Sequence, residues 1–195
     1  MLFKVEKNKY TNLSQKASKM KNFKELLKDI KVFIFDVDGV LSANVMNLNS
    51  ETGLPVRTGN VKDGYALHLA SKLGYKVAII TGANTEYLKS RFAALGMHED
   101  IYLGCHNKIV EFQALMEKYN LNPENVLYMG DDIPDMKVMK MVGVPCCPAD
   151  AAPEIKEISK YISHCKGGEG CARDVIEQVL KAQDNWLRDD EATIW

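Results

Sequence analysis

The chain has 195 residues, which is long enough for one well-packed domain and short for two. Hydrophobic residues make up 46% of it and charged residues 26%, as in an ordinary globular protein, and 25 basic against 26 acidic residues leave a formal net charge of -1. This balance argues against a nucleic-acid-binding protein, which would show a basic excess, and the apolar runs are too short for a membrane span. No secretory signal is visible, so we expect a cytoplasmic protein with no nucleic-acid and no membrane partner.

The first thirty residues are rich in lysine, and residues 13–27 have the pattern of an amphipathic surface helix. From Lys31 onward, short apolar runs that predict buried strands alternate with segments of helical periodicity. The predicted strands are residues 32–35, 77–80, 101–103, 126–129 and 142–144, and the clearest helices are residues 84–95 and 107–119. This regular succession predicts an α/β fold with a Rossmann-like parallel sheet and helices on both of its faces.

Residues 42–60 interrupt this succession directly after the first strand. Their centre, residues 49–55, is rich in turn-forming residues, and the flanking stretches have the length to pair with each other. A loop at this position of an α/β sheet is where function is expected. We therefore predict a β-hairpin insertion over about residues 42–60.

The chain contains five cysteines, an odd number whose spacings match no zinc-binding pattern. A metal or redox site involving Cys165, Cys171 and His164 is one interpretation. We favour the other, that the cysteines are free thiols in a reducing compartment.

Carboxylates follow two of the predicted strands. Asp36 and Asp38 come after the first strand, and Asp131, Asp132 and Asp135 come after the strand at 126–129. Because ligands bind outside the carboxyl ends of parallel strands, we expect these side chains to meet in one crevice. Five carboxylates there would repel one another unless a hard cation neutralised them, and all-oxygen ligands suit magnesium.

Two further residues are expected at the same crevice. Thr81 follows the strand at 77–80, and Lys108 lies at the start of the second helix. A cation and a lysine that neutralise the transferring oxygens, with a carboxylate to attack in line, are what phosphoryl transfer needs. Each residue taken alone is also typical of a turn or a helix cap. Together, in this order, they predict phosphoryl transfer.

Four motifs resemble those of phosphatases in the haloacid dehalogenase superfamily, in the same order. They are Asp36-Val-Asp-Gly-Val-Leu41, Thr81-Gly82, Lys108 and Gly130-Asp-Asp-Ile-Pro-Asp135. The resemblance extends over about residues 31–183. It implies a hydrolase domain there, between an N-terminal extension (1–30) and a C-terminal tail (184–195).

The resemblance also implies a role for each motif residue. Asp36 would be the nucleophile, and Asp38 would be the general acid and base. Thr81 and Lys108 would bind the phosphoryl group. Magnesium would be held by the Asp36 carboxylate, the main-chain carbonyl of Asp38 and Asp131. Dehalogenases of the superfamily lack the second aspartate, so its presence points to a phosphatase.

The spacing of the motifs excludes the large cap domain that many members carry. Only 42 residues separate Asp38 from Thr81, and 26 separate Thr81 from Lys108. The predicted hairpin is the one insertion for which there is room. Because water exclusion strengthens the electrostatics of such a site, we expect a neighbouring subunit to help close it.

The chain is similar to the capless subfamily of 3-deoxy-D-manno-octulosonate 8-phosphate phosphatases. The similarity lies in residues 60–64, Arg91, Asn107-Lys108 and residues 167–170 followed by Arg173. It implies a homotetramer in which hairpins, and possibly tails, complete neighbouring sites. It implies substrate contacts at Asn60, Lys62, Asp63, Gly64 and Arg91. His68 and Gly82 are two further candidates for substrate contact.

The chain departs from this subfamily at several substrate-facing positions. Members of the subfamily often have arginine at the positions that Lys62, His68 and Ala83 occupy in this chain. They often have a basic residue at the position of Glu169. Lysine keeps the positive charge but cannot form the bidentate hydrogen bonds that a guanidinium donates to a carboxylate.

We therefore predict magnesium-dependent hydrolysis of a 2-keto-3-deoxy sugar acid phosphate through an aspartyl-phosphate, with 3-deoxy-D-manno-octulosonate 8-phosphate as the preferred substrate. The alternatives are the nine-carbon keto-deoxy sugar acid 9-phosphate and a broader range of sugar phosphates. A phospho-accepting receiver-like module is the alternative from another class. Its adjacent carboxylates follow the first strand, whereas here the adjacent pair is Asp131-Asp132, late in the chain.

Overall fold

The computed structural model describes residues 22–188. The strands are β1 (Val32–Phe35), β2 (Asn47–Leu48), β3 (Pro55–Val56), β4 (Lys76–Ile80), β5 (Ile101–Tyr102), β6 (Val126–Met129), β7 (Val144–Cys147) and β8 (Tyr161–Ile162). The α-helices are α1 (Phe23–Leu27), α2 (Val61–Lys72), α3 (Tyr87–Ala93), α4 (Lys108–Tyr119), α5 (Met136–Met139), α6 (Pro153–Ile158) and α7 (Cys171–Ala182). Only the last turn of the helix predicted at 13–27 falls among these residues, as α1. Residues 189–195 of the predicted tail lie outside them.

Six parallel strands form the main sheet in the order β5-β4-β1-β6-β7-β8. β1 lies in the middle, where Val32 is aligned with Lys76 of β4 on one side and with Val126 of β6 on the other. All four of its residues are buried, which explains why the sequence shows an unbroken apolar run there. The predicted parallel sheet is confirmed.

The two faces of the sheet are covered by different helices. Phe33 and Phe35 of β1 belong to a core that includes residues of α2 and α7, while Val32 and Ile34 belong to a second core with residues of α4, α5 and α6. Successive residues of a strand point to opposite faces, so one short strand supplies both cores. The predicted three-layer arrangement is confirmed. Among the described residues, no helix has the length and hydrophobicity needed to span a membrane.

The predicted hairpin is confirmed as β2 and β3, which pair antiparallel with Asn47 opposite Val56. Thr58, just after β3, ties it to the loop after β1. The Thr58 backbone N–H donates to Ser42 Oγ at 3.1 Å, and Thr58 Oγ1 accepts from the backbone N–H of Ala43 at 3.0 Å. These bonds hold the end of the hairpin beside the carboxyl end of β1.

Two strands at one side of the sheet differ from the prediction. The strand predicted at 142–144 begins at Val144 and ends at Cys147, because Gly143 lies against the chain before β6. A side chain at Gly143 would place its Cβ 2.1 Å from the carbonyl oxygen of Glu124. The edge strand β8 was not predicted, since two residues are too few to show an alternating pattern.

Candidate active site

The predicted catalytic residues lie together at the carboxyl ends of the central strands. Asp36 directly follows β1, Thr81 follows β4, Lys108 is the first residue of α4, and Asp131 follows β6. With Asp38 they line one cleft of about 410 Å³. The main chain extends the sheet into the cleft, since the backbone N–H of Asp36 donates to Met129 O at 3.1 Å. Residues far apart in sequence are therefore brought to one place.

Lys108 is the central cation of the cleft. Its Nζ donates to Asp36 Oδ2 and to Asp135 Oδ1, both at 2.6 Å, and only 4% of its side chain is exposed. Burial by itself lowers the pKa of Lys108, but the carboxylates of Asp36 and Asp135 together raise it above its ordinary value. The ammonium group therefore stays charged and is held against the predicted nucleophile.

Asp135 organises the loop after β6. Its Oδ1 accepts from Tyr128 OH at 2.7 Å as well as from Lys108. Its Oδ2 accepts from the backbone N–H groups of Asp131, at 3.1 Å, and Asp132, at 3.4 Å. The sequence analysis included Asp135 in the acidic cluster but gave it no role. It missed Tyr128, because no sequence signal distinguishes this residue from the apolar residues of the same buried strand. Both hold the site in place.

Asp36, Asp131 and Asp135 form an acidic centre whose carboxylate oxygens lie within 4.8 Å of one another. Burial, followed by the charge of Asp135, raises the pKa of Asp36 to about 6. Burial, followed by the charge of Asp36, raises the pKa of Asp131 to about 7. Such crowded oxygen ligands fit a hard divalent cation, whose charge relieves their repulsion. Asp135 lies beside Asp36 and Asp131 of the predicted ligand set, which also contains Asp38, but its two oxygens already accept from four donors.

We expect the metal-free protein to become more stable as the pH falls from about 7 to about 5. The pKa values of Asp36 and Asp131 lie above 3.8, the ordinary aspartate value, so over this range the folded protein binds protons that the unfolded chain has released. The free energy of unfolding then rises as the pH falls. Urea unfolding of EDTA-treated protein across this range measures the effect. Saturating Mg²⁺ should weaken it, and a steady loss of stability towards low pH without metal would contradict it.

A second cavity, of about 250 Å³, contains several of the predicted substrate-binding residues. Four of the predicted substrate-binding residues line it, namely Asn60, Asp63, Gly64 and Arg91. Gly64 allows Arg91 to approach, because a Cβ on Gly64 would lie only 3.0 Å from Arg91 Nη2. Gly82 lines the acidic cleft instead.

Asn60 and Asp63 also stabilise the ends of helices. Asn60 Oδ1 accepts from the backbone N–H groups of Lys62 and Asp63 at the start of α2. Asp63, only 2% exposed, accepts with Oδ1 from the backbone N–H of Arg173 at 2.6 Å, in the first turn of α7. Burial raises the pKa of Asp63 to about 6.

Two predicted substrate contacts lie elsewhere in this structure. His68 Nδ1 is 3.1 Å from Leu95 O and packs beside Gly96, outside both cavities. Lys62 lines a separate surface depression together with Glu169 and Arg173. Their part in substrate binding stays a prediction that this arrangement does not support.

Arg57 is a residue of the site that the sequence analysis missed. It follows β3, and its guanidinium pairs with the carboxylate of Asp38, with Nε to Oδ1 at 2.6 Å and Nη2 to Oδ2 at 2.9 Å. The sequence did contain one sign that Arg57 could belong to the site, since it is the single basic residue between Asp38 and Lys62.

Comparison with known proteins agrees with this geometry. The family model described as haloacid dehalogenase-like hydrolase matches residues 92–173. The chain is 39% identical over 156 residues to the 3-deoxy-D-manno-octulosonate 8-phosphate phosphatase KdsC of Salmonella typhi, covering 80% of this chain and 82% of that protein. It is 38% identical, with the same coverage, to KdsC of Escherichia coli strain K12.

Solved structures show the same relationship. The 3-deoxy-D-manno-octulosonate 8-phosphate phosphatase of Yersinia pestis superposes with a TM-score of 0.80 and 34% identity, covering 85% of this chain and 88% of that one. The enzyme of Moraxella catarrhalis, solved in complex with magnesium, phosphate and KDO, superposes with a TM-score of 0.79 and 33% identity, covering 85% and 94%. The chain therefore belongs to the haloacid dehalogenase-like hydrolases and, within them, to the family of 3-deoxy-D-manno-octulosonate 8-phosphate phosphatases.

Proposed function

We propose that this chain hydrolyses the phosphomonoester of a 2-keto-3-deoxy sugar acid, with 3-deoxy-D-manno-octulosonate 8-phosphate as its preferred substrate. One observation carries the proposal: the cleft that contains Asp36, Lys108 and Asp131 lies beside a cavity lined by two arginines, Arg57 and Arg91. The cleft fits a phosphoryl group, and the cavity offers positive charge to the carboxylate of a sugar acid. The relatives named above act on, or bind, compounds of this kind.

Phosphoryl transfer would begin at Asp36. One of its carboxylate oxygens attacks phosphorus in line with the ester oxygen, so that a new Asp36–phosphorus bond forms as the bond to the sugar breaks. The hydrogen bonds from the Val37 backbone N–H at 2.6 Å and from Lys108 fix the direction of the carboxylate. Lys108 is also close enough to balance the charge of the phosphoryl oxygens.

Asp38 and Thr81 would complete the reaction. Asp38 protonates the leaving sugar oxygen and then takes a proton from the water that attacks the aspartyl-phosphate, which releases phosphate and restores Asp36. Thr81 Oγ1 accepts from the Ala83 backbone N–H at 3.1 Å, and its own O–H can then donate to a phosphoryl oxygen.

Mg²⁺ is the cofactor that we propose for the acidic centre. Asp36, Asp131 and the main-chain carbonyl of Asp38 would hold it, with Asp135 close by. When bound, it supplies positive charge next to the phosphoryl oxygens and relieves the repulsion among the carboxylates.

A phosphate-release screen tests the proposal. The substrates are 3-deoxy-D-manno-octulosonate 8-phosphate, the nine-carbon acid 9-phosphate, hexose phosphates and nucleotides, each with Mg²⁺ and with EDTA. We expect kcat/KM for the eight-carbon acid to exceed that for hexose phosphates by at least about 10²-fold, because hexose phosphates have no carboxylate to pair with the arginines of the cavity. EDTA should abolish turnover. Equal rates on hexose phosphates would overturn the assignment, and a preference for the nine-carbon acid would replace the substrate.

We further propose a homotetramer that assembles through the hairpins. Large apolar side chains on and next to the hairpin are exposed, namely Val45, Leu48, Leu54 and Val56. Exposed apolar surface of this kind is typical of a protein interface. A second copy of the chain could close the open cleft. Sedimentation equilibrium of the full chain tests the proposal, and a monomer would refute it.

A cytoplasmic location is also a proposal. All five cysteines of the chain are free thiols, and four of them are buried. This agrees with a reducing compartment.

A further inference from the structure

The general acid of this site is held by a neighbouring cation. Both carboxylate oxygens of Asp38 accept hydrogen bonds from the guanidinium of Arg57, at 2.6 and 2.9 Å. A group that protonates a leaving oxygen needs an oxygen free to carry that proton and turn it towards the substrate. In this arrangement each oxygen of Asp38 accepts one of these bonds, so the carboxylate is turned towards Arg57.

Arg57 is fixed in its position by contacts on every side. Only 7% of its side chain is exposed, compared with 33% for Asp38. Its remaining terminal nitrogen, Nη1, donates to Thr85 Oγ1 at 3.0 Å, and Tyr87 lines the same cavity as Arg57. On the main-chain side, the anchor between Thr58 and Ser42 holds the next residue. Between the two partners, Asp38 is therefore the one with more freedom to move.

The guanidinium also borders the cavity for the organic part of the substrate. Arg57 lines that cavity together with Arg91, whereas Asp38 lines the acidic cleft. An anionic group bound in the cavity would meet a planar donor pair that suits a carboxylate. It would compete with Asp38 for the same two N–H groups.

We propose that Arg57 is a positioning and specificity residue, which clamps Asp38 until the carboxylate of the substrate takes the place of Asp38 on the guanidinium. This inference rests on the proposed function, because it takes the substrate to be a phosphorylated sugar acid. Arg57 keeps a carboxylate partner throughout the exchange, and the displaced Asp38 carboxylate faces the open acidic cleft, where 33% of its side chain is already exposed. The released Asp38 can then turn towards the leaving oxygen of the substrate.

The clamp makes the carboxylate of the substrate a condition for rapid turnover. A phosphate ester that lacks a carboxylate would leave Asp38 on Arg57 and react slowly, even where its phosphate fits the cleft. D-Arabinose 5-phosphate is such a probe, because it shares the phosphate-bearing end of the eight-carbon acid but has no acid group. Selectivity would then arise from release of the general acid as well as from binding.

The kinetic test compares both substrates in wild type, Arg57→Gln, Arg57→Lys and the control Lys89→Gln. Lys89 is an exposed lysine that pairs with Glu86 and lines neither the cleft nor the substrate cavity. We expect Arg57→Gln to lower kcat/KM for the sugar acid phosphate on the order of 10²-fold, while that for arabinose 5-phosphate stays within about threefold or rises. Arg57→Lys should restore part of the loss, and Lys89→Gln should change neither substrate.

Equal losses on the two substrates would show a merely structural role and overturn the proposal, as would no loss on either. Thermal melts of each variant separate misfolding from these outcomes. The ratio of the two kcat/KM values is the decisive readout, because a general loss of folded protein leaves that ratio unchanged.

A binding measurement makes the test independent of turnover. In nuclear magnetic resonance spectra of the wild type, the Nε–H signal of Arg57 is assigned by its loss in Arg57→Lys. Saturating 3-deoxy-D-manno-octulosonate should shift this signal, and arabinose should not. No shift with the acid would overturn the clamp. If the wild type hydrolyses neither phosphate ester, the proposed function fails, and the spectra still decide whether Arg57 exchanges Asp38 for a carboxylate.

Discussion

Replacing Asp36 with asparagine is expected to lower phosphate release by at least about 10⁴-fold, because it removes the attacking oxygen of a covalent mechanism. The change is nearly isosteric, but the NH₂ group of asparagine cannot accept, so only one of the two hydrogen bonds from Lys108 and from the Val37 backbone N–H can persist. Burial disfavours the charge of Asp36 and raises its pKa to about 6. Removing this charge offsets the hydrogen bond that is lost, so the melting temperature of the metal-free variant should stay within a few degrees of that of the wild type.

Phosphate release at saturating substrate and Mg²⁺, with a thermal melt on the same sample, measures both effects. Asp184→Asn is the matched control, since it makes the same chemical change at an exposed position just after α7. Mass spectrometry excludes deamidation of the new asparagine back to aspartate. Retention of more than a few per cent of the wild-type rate would mean that Asp36 is not the nucleophile.

Replacing Lys108 with methionine is expected to destabilise the metal-free protein by about 3–5 kcal/mol, because two buried carboxylates lose the cation between them. Asp36 and Asp135 each accept a bond of 2.6 Å from Lys108, and Asp135 is only 1% exposed. Methionine fills a similar volume, so the loss reports the charge more than a cavity. Catalysis should be lost as well, since nothing else in the cleft offers an ammonium group at this point.

Lys118→Met is the matched control for this variant. Lys118 also bridges two carboxylates, those of Glu99 and Asp100, but 43% of its side chain is exposed. Water screens such a pair, so its removal should change the free energy of unfolding much less. Urea unfolding of both variants at two pH values is the measurement. The deficit of Lys108→Met should shrink at low pH, where Asp36, whose pKa is raised to about 6, becomes protonated. Equal losses in the two variants would refute the argument.

Much of the architecture was predictable because its signals are local. The unbroken apolar run of β1 reflects burial on both faces, and the alternation of strands with helices implies parallel connections. Parallel strands present their carboxyl ends at one edge, so Asp36, Thr81 and Asp131 could be expected to meet before any coordinates were known. The hairpin followed from turn-forming residues placed between two short stretches.

The orientation of side chains along a helix was less predictable. His68 lies one turn after Gly64 on α2, about 6 Å further along the axis. This distance carries it away from the carboxyl ends of the strands, to Leu95 O and Gly96. Lys62 precedes Asp63 by one position, which turns it about 100° around the helix, towards Glu169.

By itself, the sequence determined the layered α/β fold, the hairpin after β1 and the collection of carboxylates, lysine and threonine at one edge of the sheet. These follow from the periodicity and order of residues along the chain. Only the tertiary structure decided that Asp135 shares Lys108 with Asp36, and that Arg57 pairs with Asp38. Both contacts join residues from parts of the chain that are far apart in sequence, at distances set by how the hairpin and helices pack on the sheet, and no local pattern encodes such packing.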